Sequence, residues 1–274
     1  MRSNAKFMFF MGLLAPLAAE AGTVTVKGSD TMVLLGQRWA EEYMKKSPET
    51  TVQVTGGGSG TGISALINGT TDVCQASRSM SADEKGKLRD RYNTTGVEIP
   101  VAKDGLSVYV NAASPIKALS MNQLKLIFTG KITNWKEVGG PDAKIIVYSR
   151  ENSSGTYVFF KEHVLKNADY TPRAQSMPGT AAVVNAVAKE KHSIGYGGAA
   201  YAKGIRVLAI KKDGASPAVT PDLAHVQDGS YALARPLYFY LRNKPAGEIK
   251  GFVDWVLSKE GQDIVQKVGY FPVK

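Results

Sequence analysis

Short β-branched runs alternate with stretches of helical periodicity along almost the whole of the 274-residue chain, and this alternation most constrains its fold. Strands separated by helix-length segments pair as parallel neighbours, with helices covering the sheet faces. Thr23–Lys27, Thr51–Thr55 and Val73–Ala76 are predicted strands, and Val33–Lys46 and a segment running through Asn68 are predicted helices. Ser81 with Glu84 three residues on is a capping box, opening a helix to about Tyr92. Strands at Val97–Val101 and Leu106–Asn111 flank Lys103-Asp104-Gly105. A second block then follows. Its predicted helices are Asn122–Phe128, Gly155–Leu165 and Thr180–Lys189, and its strands are Lys144–Ser149, Ser193–Tyr196 and Arg206–Ile210. A strand at Leu237–Leu241 and helices at Ile249–Leu257 and Gln262–Lys267 close the chain.

Three of the strand-to-helix turns share a composition: Gly28-Ser29-Asp30-Thr31, Gly58-Ser59-Gly60-Thr61-Gly62 and Ser153-Ser154-Gly155-Thr156. The first amides of a helix lack partners, and the helix dipole places partial positive charge there. Glycine admits a ligand close to the backbone, and serine and threonine add hydroxyl donors, so such a terminus suits a sulfate, phosphate or carboxylate. One such turn is equally an ordinary N-cap. Three, all at the carboxyl ends of strands, point to a shared anion site. Arg150 ends a strand four residues before Ser154 and offers a planar fork of donors, or else a surface ion pair with Glu151 or Glu162. Arg78, after Ser77 at the end of the third strand, is placed alike. Asp30 lies within the first turn as a ligand-proton acceptor or a helix cap, and Asp72 reads as structural.

The amino terminus limits where the protein works. Arg2 and Lys6 precede an apolar run from Phe7 to Ala19, and Ala19-Glu20-Ala21 is a small-x-small site. These are the parts of a signal peptide over residues 1–21, cleaved after Ala21, with an apolar run too short for a membrane span. No cysteine lies at that site, so the expectation is a free periplasmic protein rather than a lipoprotein. The lone Cys74 sits in an apolar run and allows no intrachain disulfide, which leaves stability to a packed core. The net charge of +10 suits an anionic partner, but the lysines are scattered and no nucleic-acid motif accompanies them.

Other chemistries find little support. A hydrolase needs a nucleophile with an activating base, and His163, His192 and His225 stand apart from the Ser/Gly turns. There is no Cys/His metal spacing, no Gly-x-Ser-x-Gly elbow and no cofactor motif beyond Gly60-x-Gly62-x-x-Ala65. That segment follows a strand, but the acids about 20 residues on, Asp83 and Glu84, start a helix instead of ending a strand. Trp39, Trp135 and Trp255 have core-like spacing.

The run Leu126-Ile127-Phe128-Thr129-Gly130-Lys131-Ile132-Thr133-Asn134-Trp135, then Val138-Gly139-Gly140, resembles the phosphate-binding proteins of bacterial phosphate ABC importers. Arg150-x-x-x-Ser154-Gly155-Thr156, leading to Phe159 and Phe160, and His192-Ser193-Ile194-Gly195-Tyr196-Gly197 extend the likeness over essentially the whole mature chain. The resemblance implies an α/β periplasmic-binding-protein clamshell of type 2, each domain a mostly parallel sheet flanked by helices. Two hinge crossings are expected near Val110-Asn111 and near Tyr231–Arg235. Domain I would then be residues 22–110 plus 235–274, and domain II residues 111–234. By position the family's ligand residues fall on Thr31, Ser59, Arg150, Ser154, Gly155 and Thr156. The turns and the third strand add Ser29, Asp30, Gly60, Ser77 and Arg78 to the candidate phosphate site.

The implied role is capture of inorganic phosphate for the membrane permease of an ABC importer, by a monomer that is not an enzyme and needs no cofactor or metal. A secreted phosphate-ester hydrolase, a binder of sulfate or molybdate, and an extracellular adhesion role on the same fold are the alternatives. One departure stands out: the family places after the third strand an aspartate that accepts the proton of HPO4²⁻, and here that position holds Ser77. Sulfate brings no proton at neutral pH, so a buried acceptor disfavours it. Asp30, from another loop, or the Ser77 hydroxyl is the expected replacement.

Overall fold

The computed structural model describes residues 22–273, so the expected signal peptide and its cleavage site lie outside the described residues. The chain opens with β1 (Gly22–Gly28), α1 (Asp30–Lys46), β2 (Thr50–Thr55), α2 (Ser59–Asn68), β3 (Val73–Ala76), α3 (Ala82–Tyr92) and β4 (Val97–Gly105). It continues through β5 (Ser107–Asn111), β6 (Ala118–Ser120), α4 (Met121–Phe128), β7 (Ile146–Arg150), α5 (Gly155–His163), β8 (Gln175–Met177) and α6 (Thr180–Lys189). Then come β9 (Ser193–Gly197), β10 (Ile205–Val207), β11 (Ala209–Lys211), β12 (Ala218–Val219) and α7 (Leu223–Gln227). The last elements are β13 (Ala234–Leu241), α8 (Gly247–Val256) and α9 (Lys259–Val268).

These elements form two five-stranded sheets, ordered β2-β1-β3-β13-β4 and β10-β5-β9-β7-β8, and a small sheet β12-β11-β6. The large sheets are mixed instead of mostly parallel. In the first, β1 runs parallel to β2 and β3, while β13 is antiparallel to β3 and β4. In the second, β7 is parallel to β8 and β9, and β5 is antiparallel to β9 and β10. The physical reason lies in the connections. Parallel neighbours are joined by helical crossovers, whereas β5 and β13 are strands on which the chain has just passed from one sheet to the other. The first passage is at Leu106, between β4 and β5, and not near Val110-Asn111, because Ser107–Asn111 already pairs in the second sheet. The single expected strand Arg206–Ile210 is also two: β10 joins the second sheet and β11 the small one.

Each large sheet has its own core. Val24, Val26, Leu35, Trp39, Phe239, Phe252 and Val265 pack together under the first. Leu124, Phe128, Trp135, Phe160, Ile194 and Tyr196 pack under the second. The periodicity of α1 explains its seat: Met32, Leu35, Gly36, Trp39, Ala40 and Tyr43 fall on one face and all are buried. Each fully buried apolar side chain contributes about 1.5–3 kcal/mol, and Trp39 also satisfies its indole by donating Nε1–H to the Gly261 carbonyl at 2.8 Å. Gly28 makes the tight exit from β1. Its φ is +143°, and a Cβ there would lie 2.2 Å from the Gln75 carbonyl oxygen, so only glycine lets α1 begin where it does.

Candidate anion-binding site

The carboxyl ends of β1, β3 and β7 face the gap between the two sheets, and the helices that follow β1, β2 and β7 bring their amino ends to one place. Gly60 N–H donates to the Ser153 carbonyl at 2.9 Å, and Thr31 Oγ1 lies 2.8 Å from Thr156 Oγ1, so α1, α2 and α5 meet across the gap. Ser29 Oγ donates to Ser77 Oγ at 2.9 Å, and Ser59 Oγ, 3.4 Å from the same oxygen, accepts the Ser77 amide at 3.0 Å. Ser29, Thr31, Ser59, Ser77, Ser154 and Thr156 are all buried. Such a cluster of buried hydroxyls at helix starts is chemically suited to an anion with several oxygens, since each hydroxyl can donate or accept. Gly155 permits the approach: a Cβ on it would lie 2.3 Å from Ser59 Oγ and 2.8 Å from Ser77 Oγ.

Arg150 is 2% exposed at the end of β7, and neither Glu151 nor Glu162 is its partner. Its Nη2 donates to Asp30 Oδ2 at 2.9 Å, Nη1 to Thr180 Oγ1 at 3.0 Å and Nε to the Met177 carbonyl at 3.3 Å. Burial pulls the guanidinium below its ordinary range, and the Asp30 charge opposes that pull. Asp30 does not cap α1 with its side chain: Oδ2 is engaged by Arg150, and Oδ1 accepts the Gly57 amide at 2.9 Å. Ser154 is a true N-cap, its Oγ accepting from Thr156 N and Tyr157 N. Having filled its lone pairs with backbone amides, its own proton is free to donate.

Arg78 lies beside this cluster, its Nη2 3.8 Å from where a Cβ on Gly60 would stand. It makes a bidentate pair with Glu84, at 2.8 and 2.7 Å, and donates to the Ser79 carbonyl. Burial works to lower its pKa, but the Glu84 hydrogen bonds and charge outweigh it and raise the value. The capping box that the sequence shows at Ser81 puts the Glu84 carboxylate there, so the capping acid also holds the arginine's guanidinium. Arg78 also lines a groove of about 520 Å³ with Ser77, Phe159, Glu162, His163, Arg235 and Tyr238.

Three further residues, Thr180, Arg235 and Asp104, pack against this cluster. Thr180 opens α6 after Gly179, a fourth Gly/Thr helix start, and the signal was present in the same composition as the other three turns. Arg235 and Asp104 are 3% and 0% exposed and form an ion pair at 2.8 Å on adjacent strands. A charged residue inside the apolar run Ala234–Leu241 is the available signal for Arg235, while Lys103-Asp104-Gly105 belongs to β4, which extends four residues beyond the strand Val97–Val101 expected from sequence. Behind the site, Tyr196 hydrogen-bonds Ser149 Oγ and Tyr170 Oη and stacks on Phe160. Burial pushes the Tyr196 phenol up to about 12, so it stays neutral and holds β7 and β9 as a rigid floor. His163 stacks on Phe159, His225 bonds Asp222, and the backbone carbonyl of His192 accepts from the Trp135 indole. Among the described residues no group of His, Cys, Asp and Glu has the arrangement of a metal site.

The model of a PBP superfamily domain matches residues 15–260. The phosphate-binding protein PstS of Pseudomonas aeruginosa is 34% identical over 270 residues, covering 92% of this chain and 84% of that one. The chain belongs to this phosphate-binding protein family. The PstS of Bacillus subtilis is 33% identical over 254 residues, covering 92% and 81%. Among solved structures, a Clostridium perfringens protein described as a substrate-binding protein of a phosphate ABC transporter, with bound phosphate, superposes with a TM-score of 0.84 at 32% identity. That superposition covers 92% of this chain and all of the other. Membership in the family fits the mixed α/β architecture of two helix-flanked sheets and a hydroxyl-rich seam between them.

Proposed function

We propose that this protein captures inorganic phosphate in the periplasm and delivers it to the membrane permease of an ABC importer. One observation carries the reading: the amino ends of α1, α2, α5 and α6 and the buried Arg150 surround a single seam between the two sheets. Backbone amides, hydroxyls and one guanidinium together replace the water shell of a tetrahedral dianion. The family's phosphate-binding relatives support the same ligand. Thr31, Ser59, Arg150, Ser154, Gly155 and Thr156, with Ser29, Asp30, Gly60 and Ser77, form the site. Thr180 is added to them, and Arg78 is withdrawn because Glu84 holds it.

The first domain comprises residues 22–105 and 234–273, and the second residues 106–233, with hinges at Leu106 and near Leu233. Phosphate binds the closed arrangement better than the open one and shifts the population toward it. Asp30 is the acceptor of the ligand proton: a carboxylate has lone pairs beyond the two that Arg150 and Gly57 use. Export follows from cleavage after Ala21, so the mature protein starts at Gly22, and no helix among the described residues is long and apolar enough to cross a membrane.

Titration calorimetry of the purified protein with phosphate, sulfate and molybdate tests the reading. Phosphate is expected to bind as a one-to-one complex and sulfate far more weakly. Absence of heat with phosphate, or tighter binding of sulfate, would overturn it. In Asp30→Asn, phosphate affinity is expected to fall by more than sulfate affinity, since only phosphate brings a proton to be accepted.

A further inference from the structure

The Arg235 guanidinium is held on all its edges. Nε and Nη2 donate to Asp104 Oδ2 at 3.0 and 2.8 Å, Nη1 donates to the Ser77 carbonyl at 3.0 Å, and Nη2 also donates to Thr156 Oγ1 at 3.0 Å. Its face lies over the Phe159 ring, 5.2 Å from the centroid. Asp104 and Ser77 belong to the side of the first sheet, and Thr156 and Phe159 to α5 on the other side. A planar fork fixed by a carboxylate, a carbonyl and a ring face cannot swing, so its hydrogen bond to Thr156 has a set direction.

That direction decides what Thr156 can offer a ligand. A hydroxyl has one proton and two lone pairs. One lone pair of Thr156 is taken by Arg235, which can only donate. The remaining neighbour is Thr31 Oγ1, at 2.8 Å. The two threonines carry two protons and share one hydrogen bond, so whichever of them donates, one proton is left for a third group. Without Arg235, the Thr156 oxygen would be free to turn a lone pair toward a bound anion and repel it.

We propose that Arg235 is a positioning residue for oxyanion binding: it fills a Thr156 lone pair, so that the spare proton of the Thr31–Thr156 pair, and not a Thr156 lone pair, is turned toward the ligand. Because its other partners lie on the opposite side of the seam, this polarity is set as the two sides meet. The proposal rests on the phosphate reading and deepens it.

Arg235→Lys tests it. Lysine keeps a positive charge beside Asp104, but its single nitrogen cannot serve Asp104, Ser77 and Thr156 together. Phosphate Kd is expected to rise by about tenfold or more, while the ligand-free protein keeps its circular dichroism and cooperative melting. The decisive readout is a double-mutant cycle with Thr156→Val, which a merely structural arginine would not move. In the Thr156→Val background, Arg235→Lys is expected to change Kd by less than about twofold, because the hydroxyl it orients has gone. If Arg235→Lys does not fold, the charge-neutral pair Asp104→Asn with Arg235→Met takes its place in the same cycle. Wild-type affinity in Arg235→Lys, or an equal loss with and without the Thr156 hydroxyl, would overturn the proposal. Failure of the wild-type protein to bind phosphate would instead remove the phosphate reading.

Discussion

Arg150 and Gly155 do different work at the seam, and substitutions separate the two. Arg150 supplies charge and directed donors from a site 2% exposed. Arg150→Lys keeps the charge but loses the fork, and phosphate affinity is expected to fall by at least about tenfold, or 1.4 kcal/mol. Arg150→Ala leaves Asp30 without its partner, and removing one member of a buried pair costs about 3–5 kcal/mol, a figure to discount because the Asp30 side chain is 22% exposed. Its thermal midpoint is therefore expected to drop along with binding. Gly155 supplies room. In Gly155→Ala the new methyl would fall 2.3 Å from Ser59 Oγ on the opposite side of the seam. The two sides are then held apart, so phosphate affinity is expected to fall by more than tenfold, with little change in ligand-free melting. Titration calorimetry and a melting curve on the same samples check both substitutions.

Individual elements carry their own signatures. α3 starts on a complete capping box, Ser81 Oγ accepting from Glu84 N and the Glu84 side chain accepting from Ser81 N. Ser81→Ala is expected to cost about 1 kcal/mol in chemical denaturation while leaving phosphate affinity intact, since on the proposed reading Arg78 is held by Glu84 and does not bind the ligand. β3 is buried along its whole length, Val73–Ala76, and carries Cys74 inside it. Burial raises the Cys74 thiol well above its ordinary value, so the reactive thiolate is scarce. A thiol reagent at pH 8 is expected to leave the native protein unlabelled and to modify one thiol per chain once denaturant is added. Rapid labelling of the native state would mean that β3 is not central in its sheet.

Among the described residues hydrophobic clusters pack against both large sheets, and the chain passes twice between the sheets; on the proposed reading, ligand binding acts on the separation of the two sides. In the described state the seam is shut, with Gly60 bonded to Ser153 across it. Phosphate at a hundredfold excess over Kd is expected to stabilise this state by about 2.7 kcal/mol, which corresponds to roughly 2–4 °C in melting temperature per kcal/mol for a protein of this size. Small-angle scattering is expected to show a smaller radius of gyration with phosphate than without it. An unchanged radius and an unchanged melting point would refute closure around the ligand.

Much of this was legible in the chain itself. Hydrophobic period and capping residues are short-range properties, so α1, α3, α6 and β3 were readable to within a few residues, and so was the recurrence of Gly, Ser and Thr at helix starts. The family likeness was legible in contiguous stretches such as Leu126–Trp135. What only the tertiary structure decided is partnership over distance. Asp30 and Arg150 are 120 residues apart, and Asp104 and Arg235 are 131 apart. No local pattern states which arginine meets which acid. Strand direction was hidden for the same reason: a short apolar run reads alike parallel or antiparallel, and the connections through which β5 and β13 enter their sheets settle it. The sequence thus determined which local pieces form and that several of them can hold an anion. Burial and long-range pairing chose which charges meet at the seam, because a buried charge must find a partner wherever the fold places one.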